Sequence, residues 1–364
     1  DRLIYGGHWT DVTQQSTVGW TPPRNDPGLG NSERAPLVTT GGQSINTTEI
    51  LDNYTGGALT GLAASTYGTW YAFKWQRIYS AVRNGNVTLA YDINTISTTR
   101  GAMMNSVIRA VDPDGGTTIY FLDPFVGPCR LGVGGVITQI RGLRTTWQRV
   151  NTGATSVVCC GLYYPNKQQV KWWLSVDGGN TPTLEITLQT SELKMMPDGM
   201  LGRGWSTATG KIATARCAAA LRFTVGSLTT DLPFIGTTTP DFAQRCDTGT
   251  TDNGTAFTAT IITKPFAKVG LLGRFGVLDS YLLTTADTAG SIKGGLIRDQ
   301  GVETKLNPTT ISLAPKGTET DVITHLDDLV IGECRTLSIM LTDNGATNWR
   351  AQRLDIKVSP EDMA

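Results

Sequence analysis

The sequence predicts an all-β fold of antiparallel hairpins, and three observations predict it. Apolar and polar residues alternate in runs such as "TLEITL" and "VTLAY", the period-2 pattern of strands. The runs are separated by Asn-Gly, Asp-Gly and Pro-Asn steps, which are turn signals. Almost nothing keeps a 3.6-residue period; "ITHLDDLVIGE" is long enough only for a turn or small helix. Strand-rich units begin near Trp70, Val107, Val157, Ala215, Phe257 and Val322, a spacing near the roughly 40–50 residues of propeller blades. A β-propeller is the expectation, with β-sandwich domains as the alternative; radial repetition leaves few exposed strand edges, whereas a sandwich must cover its own.

Taken in order, residues 1–66 read as an irregular N-terminal arm or loop region. Their most irregular part, "TPPRNDPGLGNSERAP", suits neither helix nor central strand, and contact with a neighbouring subunit would order it. Residues 67–364 read as the propeller-like body. Within it, Trp70 to Val82 reads as extended, turns at Asn84-Gly85 and resumes with Val87, Leu89 and Tyr91. "SVIRAVDPDGGTTIYFLD" repeats the device around Asp114-Gly115. "SVVCCGLYYPNKQQVKWWLSVDGGNTPTLEITL" gives three strands, turning at Pro165-Asn166 and Asp177-Gly178. "ARCAAALRFTV", "GTAFTATIITKPF" after Asn253-Gly254, and "VGLLGRFGVLDSYLLTTAD" follow, then a last pair turning at Asn344-Gly345.

Composition excludes some functions. Lys+Arg and Asp+Glu both number 31, so net charge is zero, and strong attraction to nucleic acid or anionic membrane is not expected. Charged residues are 17% against about 25% ordinarily, which suggests surface buried in assembly. No apolar run reaches about 18 residues, so no membrane insertion is expected. The opening "DRLIYGGHW" lacks Met and a signal peptide's pattern, as in a processed or truncated product. Six cysteines (Cys129, Cys159, Cys160, Cys217, Cys246, Cys334) form no CxxC, and His8 and His325 lie far apart. Buried small hydrophobes of a reducing compartment are expected, not zinc ligands.

Candidate chemistry is sparse. No Gly-x-Ser-x-Gly elbow accompanies either histidine, and Cys159-Cys160 sits in an apolar strand. "GLGN" (28–31) and "GVGG" (132–135) lack the remainder of a phosphate loop. Asp112, Asp114, Asp123, Glu192, Asp327 and Asp328 are the carboxylates that could flank a glycosidic bond, yet Asp-Pro-Asp-Gly is also what a type I turn requires. Asp343 and Asp355 read the same way. No catalytic, cofactor or metal residue is therefore assigned, and the chain is read as a non-enzyme.

The sharpest motif, Ser175-Val-Asp177-Gly-Gly179-Asn-Thr181, resembles the Asp-box of sialidases, with Pro182 where the aromatic belongs. In that family the box is a structural turn between the outer strands of a blade. A sialidase site would need an arginine cluster; Arg130, Arg141 and Arg144 are present but untied to one. Trp172 and Trp173 must point to opposite faces of a strand. That suits bulk packed between sheets; alternatively Trp172, Trp173 and Asp177 are the candidate glycan contacts.

From Ser156 onward the chain resembles the β-propeller nozzle (tail tubular) proteins of short-tailed bacteriophages. The resemblance rests on "LYYPNKQQVKWWLSVDGGN", "GRGWSTATG" (202–210), "FGVLDSYLLTTAD" and "NGATNWRAQRLDIKVSPEDMA". It covers about half the chain; the portion up to Thr66 has no counterpart, and nozzle proteins are usually longer. The resemblance implies a virion structural protein, assembled in the host cytoplasm as a ring, expected to be a hexamer, around a conduit that DNA traverses. Its implied partners are its own copies and other tail proteins such as the adaptor and tail fibres. Zero net charge suits a conduit that must not hold DNA tightly. The alternatives are a glycan-binding or sialidase-like propeller and a receptor-binding adhesin at a virion tip.

Overall fold

A computed structural model describes residues 4–6, 17–20, 47–50, 57–65, 68–84, 91–111, 116–152, 159–197, 199, 201–202, 204–209, 215–225, 228–237, 243–246, 259–262, 275–286, 290–298, 303–305, 310–313, 322–325, 336–343 and 349–360. The protein is all-β and antiparallel. It divides into two compact units, Asp1–Asp247 and Thr248–Ala364.

Among the described residues the first unit holds five successive sheets of three or four strands and one two-stranded hairpin. The first is β1 (Ile4–Gly6), β2 (Thr17–Trp20) and β3 (Thr47–Ile50). The second is β4 (Leu59–Ala64), β5 (Trp70–Lys74), β6 (Ile78–Arg83) and β7 (Tyr91–Ser97). The third is β8 (Ile108–Val111), β9 (Thr117–Asp123), β10 (Gly127–Leu131) and β11 (Ile137–Gln139), followed by the short helix α1 (Arg144–Trp147). The fourth comprises β12 (Cys159–Tyr164), β13 (Gln169–Ser175) and β14 (Pro182–Gln189); after a small hairpin of β15 (Lys194–Met195) and β16 (Leu201–Gly202), β17 (Trp205–Thr209) completes it. The fifth is β18 (Ala215–Val225), β19 (Leu228–Thr237) and β20 (Ala243–Arg245).

The sheets pack face to face in chain order. Val18 meets Trp70, Ala72, Tyr79 and Ala81 between the first two sheets. Tyr71, Phe73 and Ile78 then meet Ile119, Phe121, Cys129 and Leu131. Tyr120 and Leu122, on the third sheet's other face, meet Val170, Trp172, Leu174 and Ile186 of the fourth. Cys160, Leu162, Tyr164 and Trp173 meet Ala215 and Ile235 of the fifth. A strand covered on both faces needs near-continuous apolar sequence, and "WYAFK" of β5 is buried at all positions. The sheets approach most closely through their first strands: β1 by β4, β4 by β8, β8 by β12, and β12 by β18. That is the layout of blades fanned about their innermost strands, whereas a sandwich has only two sheets.

Several local expectations change. The run from Trp70 to Val82 is not one strand. Lys74 N–H donates to the Arg77 carbonyl at 2.9 Å, closing a tight turn that pairs Trp70 with Ala81. Residues 85–90, with the expected turn at Asn84-Gly85 and its continuation, lie largely outside the described residues. Strand β4 falls within the stretch read as an arm, yet it pairs along β5 from Leu59↔Lys74 to Ala64↔Trp70; β1 to β3 fall there too.

The second unit departs from blade order. Its strands are β21 (Ala259–Ile262), β22 (Phe275–Ala286), β23 (Gly290–Arg298), β24 (Glu303–Lys305), β25 (Thr310–Leu313), β26 (Val322–His325), β27 (Leu337–Asp343) and β28 (Trp349–Pro360). One sheet runs β21-β27-β23-β24 with β25 also on β23, the other β26-β22-β28. The chain thus crosses between two sheets rather than meandering through one. The pair expected around Asn344-Gly345 is not a hairpin: β27 lies in one sheet and β28 in the other, where β28 pairs with β22 from Phe275↔Pro360 to Ala286↔Trp349. Of "ITHLDDLVIGE", Ile323 to His325 belong to strand β26, where His325 pairs with Tyr281, and residues 326–333, where a turn or small helix was expected, lie outside the described residues.

Candidate functional site

The two tryptophans lie between sheets. Trp172 is 0% exposed and Trp173 2%. The Trp172 indole N–H donates to the Ser106 carbonyl at 2.9 Å, so the ring joins the fourth sheet to the third. Its cross-strand partner is Gly161, where a Cβ would come within 2.6 Å of both the indole and Ile108; glycine is required for the ring to lie there. Trp173 faces the fifth sheet and donates to Glu185 Oε2 at 3.1 Å. Glu185 Oε1 also accepts from Lys171 Nζ at 3.0 Å and Thr187 Oγ1 at 3.1 Å. This is an ion pair of a buried lysine and a half-buried glutamate whose carboxylate oxygens are both used, the condition under which such a pair is tolerated away from water. Neither indole has a free face for a sugar ring, so stacking is corrected to packing for both.

Asp177 is a turn residue. Its φ of 55° and Gly178's of 75° give the left-handed pair of a type I′ hairpin turn. The turn joins β13 to β14, the second and third strands of their sheet, not the outer pair where sialidases carry the box. Arg149 grips the carboxylate with both arms, Nε to Oδ1 at 3.1 Å and Nη2 to Oδ2 at 2.7 Å. That hydrogen bond holds the Asp177 carboxyl below its ordinary value and pushes the guanidinium's up. Asn151 adds a bond from Nδ2 to the Gly179 carbonyl at 3.2 Å. Asp177 therefore fastens the segment before the fourth sheet to that sheet's turn.

The remaining candidates show no catalytic grouping. Cys129 and Cys160 are each pushed up to about 12, mainly by burial, and Cys159 well above its ordinary value for the same reason. None is a ready thiolate. Cys217, expected inside, is exposed, because it lies on the face of β18 opposite to the one that packs Ala218 against the fourth sheet; Cys246 is half-buried. Asp123 is buried and spends its oxygens on the backbone N–H groups of Gly101, Phe125 and Val126. Glu192 sits in a surface turn. "GVGG" forms a turn with left-handed Gly134 and Gly135. Asp112, Asp114, Asp327, Asp328, His8, Cys334 and "GLGN" lie outside the described residues. Among the described residues no three His, Cys, Asp or Glu are grouped as metal ligands.

What the sequence did not reveal is a cleft of about 800 Å³ at one end of the third sheet. One wall is the turn carrying Phe125, Val126 and Pro128; the other is the segment from Gln139 through α1 to Gln148. Gln139 Nε2 donates to the Val126 carbonyl at 2.8 Å, tying the walls together. Trp147 lies against Gly127, whose φ is +87° and where a Cβ would meet the indole at 3.1 Å. Phe125 is 56% exposed, and Arg141 and Arg144 are both exposed at the rim. Two of the three arginines picked out in the sequence thus meet here. The third, Arg130, sits on β10 and reaches Thr118 Oγ1 at 3.4 Å. Among the described residues no Asp or Glu lines the cleft.

No family model matches this chain, and no curated protein matches it. Among solved structures it is similar to the crystal structure of a glycoside hydrolase family 43 arabinoxylan arabinofuranohydrolase from Bacillus subtilis in complex with cellotetraose. Identity is 10%, with 81% of this chain and 66% of that chain covered, at a TM-score of 0.23. A likeness of that degree assigns neither activity nor ligand to this chain.

Proposed function

We propose that the chain is a non-catalytic, self-associating structural subunit with a propeller-like body. Following the resemblance in its sequence, it serves as a ring-forming tail component of a bacteriophage virion, a nozzle or related collar protein around a DNA conduit. One observation supports self-association. The second, third and fourth sheets each have both faces covered by their neighbours, whereas among the described residues one face of the fifth is left exposed. Along β18 the residues Cys217, Ala219, Leu221 and Phe223 are exposed while alternate Ala218 packs toward the fourth sheet. Leu221 is 45% and Phe223 38% exposed. The register sets Ala219 opposite Phe234 and Leu221 opposite Leu232, and the Phe223 and Phe234 rings lie 5.3 Å apart.

A contiguous apolar face of this kind marks an interaction surface. The occupant is a second copy of the chain: a weakly charged subunit of zero net charge has little repulsion to overcome when meeting itself. Light scattering and particle images of the purified protein test the reading. The wild type is expected to form a large species of defined copy number. L221E combined with F223E is expected to dissociate it with strand content unchanged. A wild-type protein that stays monomeric at high concentration would overturn the proposal.

A further inference from the structure

We infer that a second cavity, between the second and third sheets, binds a small neutral molecule rich in hydroxyl groups, a sugar of one or two rings. The inference goes beyond the structural role and does not rest on it. The cavity measures about 350 Å³. Tyr71, Ser80 and Ile96 line it from the second sheet, and Thr117, Ile119 and Leu131 from the third. Pairing of Tyr71 with Ser80 and of Ile119 with Leu131 sets these walls by strand register. Ser65 and Thr69, joined by a 2.7 Å backbone bond in the turn between β4 and β5, line it too. Tyr71 gives the space its character. The residue is 6% exposed, its ring held in the core with Phe73, Ile119 and Leu131. Its hydroxyl has no hydrogen-bond partner among the described residues, yet it is open to solvent. The hydroxyls of Ser65, Thr69, Ser80 and Thr117 are in the same state. Burial raises the Tyr71 phenol above its ordinary 10.0, so at neutral pH all five groups can donate as well as accept.

The competing ligands fit less well. A hydrocarbon would drive water from five hydroxyls and offer them nothing in return, a loss for each. A charged molecule would shed its hydration and meet no opposite charge among the described lining residues. A polyol exchanges its bonds to water for bonds to these hydroxyls, while its C–H faces lie on Ile96, Ile119 and Leu131. Val133 is 78% exposed and Val82 46%; both line the cavity, and a bound ring would cover them. The volume stands near the lower end of the range for small-ligand sites, about 300–1,000 Å³, which suits one or two sugar rings.

The test is a panel of neutral mono- and disaccharides, with the matching uronates as a charged arm and toluene as an apolar one. Binding to the full chain is followed by ligand-observed NMR and calorimetry. At least one neutral sugar is expected to bind saturably, and more tightly than its uronate or toluene. Tyr71→Phe removes one hydroxyl and keeps the ring. It should weaken sugar binding about two- to tenfold, the worth of one neutral hydrogen bond, with the thermal midpoint close to wild type. Ser80→Leu places a larger side chain in the space and should abolish binding. No sugar binding across the panel overturns the inference. So does sugar binding that survives Ser80→Leu, equal affinity in Tyr71→Phe, or preference for toluene or the uronates.

Discussion

Replacing Trp172 with alanine tests the stacking of the third and fourth sheets directly. The indole is fully buried among Tyr120, Leu122, Val170 and Ile186, and a buried Trp removes about 150–250 Å² from water. At about 25 cal/mol per Å² that is roughly 4–6 kcal/mol, an upper figure because a compact unfolded chain already hides part of the area. The measured range for such truncations is about 3–5 kcal/mol. The Ser106 carbonyl also loses its indole donor, worth about 1 kcal/mol net. W172A should therefore cost about 4–5 kcal/mol, and W172F, which keeps most of the area, about 1–2 kcal/mol. Gly161→Ala should overpack the same spot, at about 1–3 kcal/mol. Combined with W172A its cost should shrink but not vanish, because the indole it strikes is gone while Ile108 and the Lys171 carbonyl remain. Urea unfolding followed by tryptophan fluorescence reads this unit: of the nine tryptophans all but Trp349 precede Asp247. A loss under about 1 kcal/mol for W172A, or strictly additive costs in the double variant, would refute face-to-face packing here.

Thiol labelling gives a second check. In the L221E/F223E variant, mass spectrometry should find Cys217 alkylated quickly and Cys129, Cys159 and Cys160 only after denaturation, since burial raises all three; equal rates would mean that the third and fourth sheets are uncovered. In the assembled wild type Cys217 labelling should slow, as the second copy covers it. A third check is acid titration of Asp177→Asn against wild type. The Arg149 hydrogen bond lowers the folded carboxyl below its ordinary 3.8. Folding thus favours the charged form, and the contribution is complete above that value and fades as pH falls through the lower folded one. With both side chains 57% exposed, the difference should be small and shrink with salt. A difference constant from neutral to strongly acid pH would refute it.

Much of this fold was legible because its signals are local. Asp-Gly and Pro-Asn turns placed β12, β13 and β14, and the doubled tryptophan announced a strand covered on both sides. The break at residues 75–77 was not legible: "KWQRI" contains no Gly, Pro or Asn, and the turn is closed by backbone bonding alone. Asn344-Gly345 failed differently. Such a step reports that the chain bends, not which sheet it enters next, and that choice is made by the long β22–β28 pairing. The cleft was invisible for the same reason. Phe125, Arg141 and Arg144 carry no periodic signal, and only the third sheet's closing turn and the segment after it bring them together.

That segment explains why the cleft is preformed. Ile140 bridges to Leu201 and Val150 to Val176, so each end is pinned to an element of the fourth-sheet region. Between them, Arg141 N–H donates to the Leu201 carbonyl at 2.7 Å, and the Trp205 indole donates back to the Arg141 carbonyl at 2.6 Å. Ile140, Leu143 and Val150 sink into the core around Trp172, and Arg149 clamps Asp177 at the far end. The strap is thus held by the packing that joins the third and fourth sheets. W172A should accordingly loosen the strap, read as faster amide hydrogen exchange at Arg141 and Val150, although neither touches the indole's ring nitrogen, whereas Asp177→Asn, at the strap's exposed end, should leave exchange at Arg141 nearly unchanged.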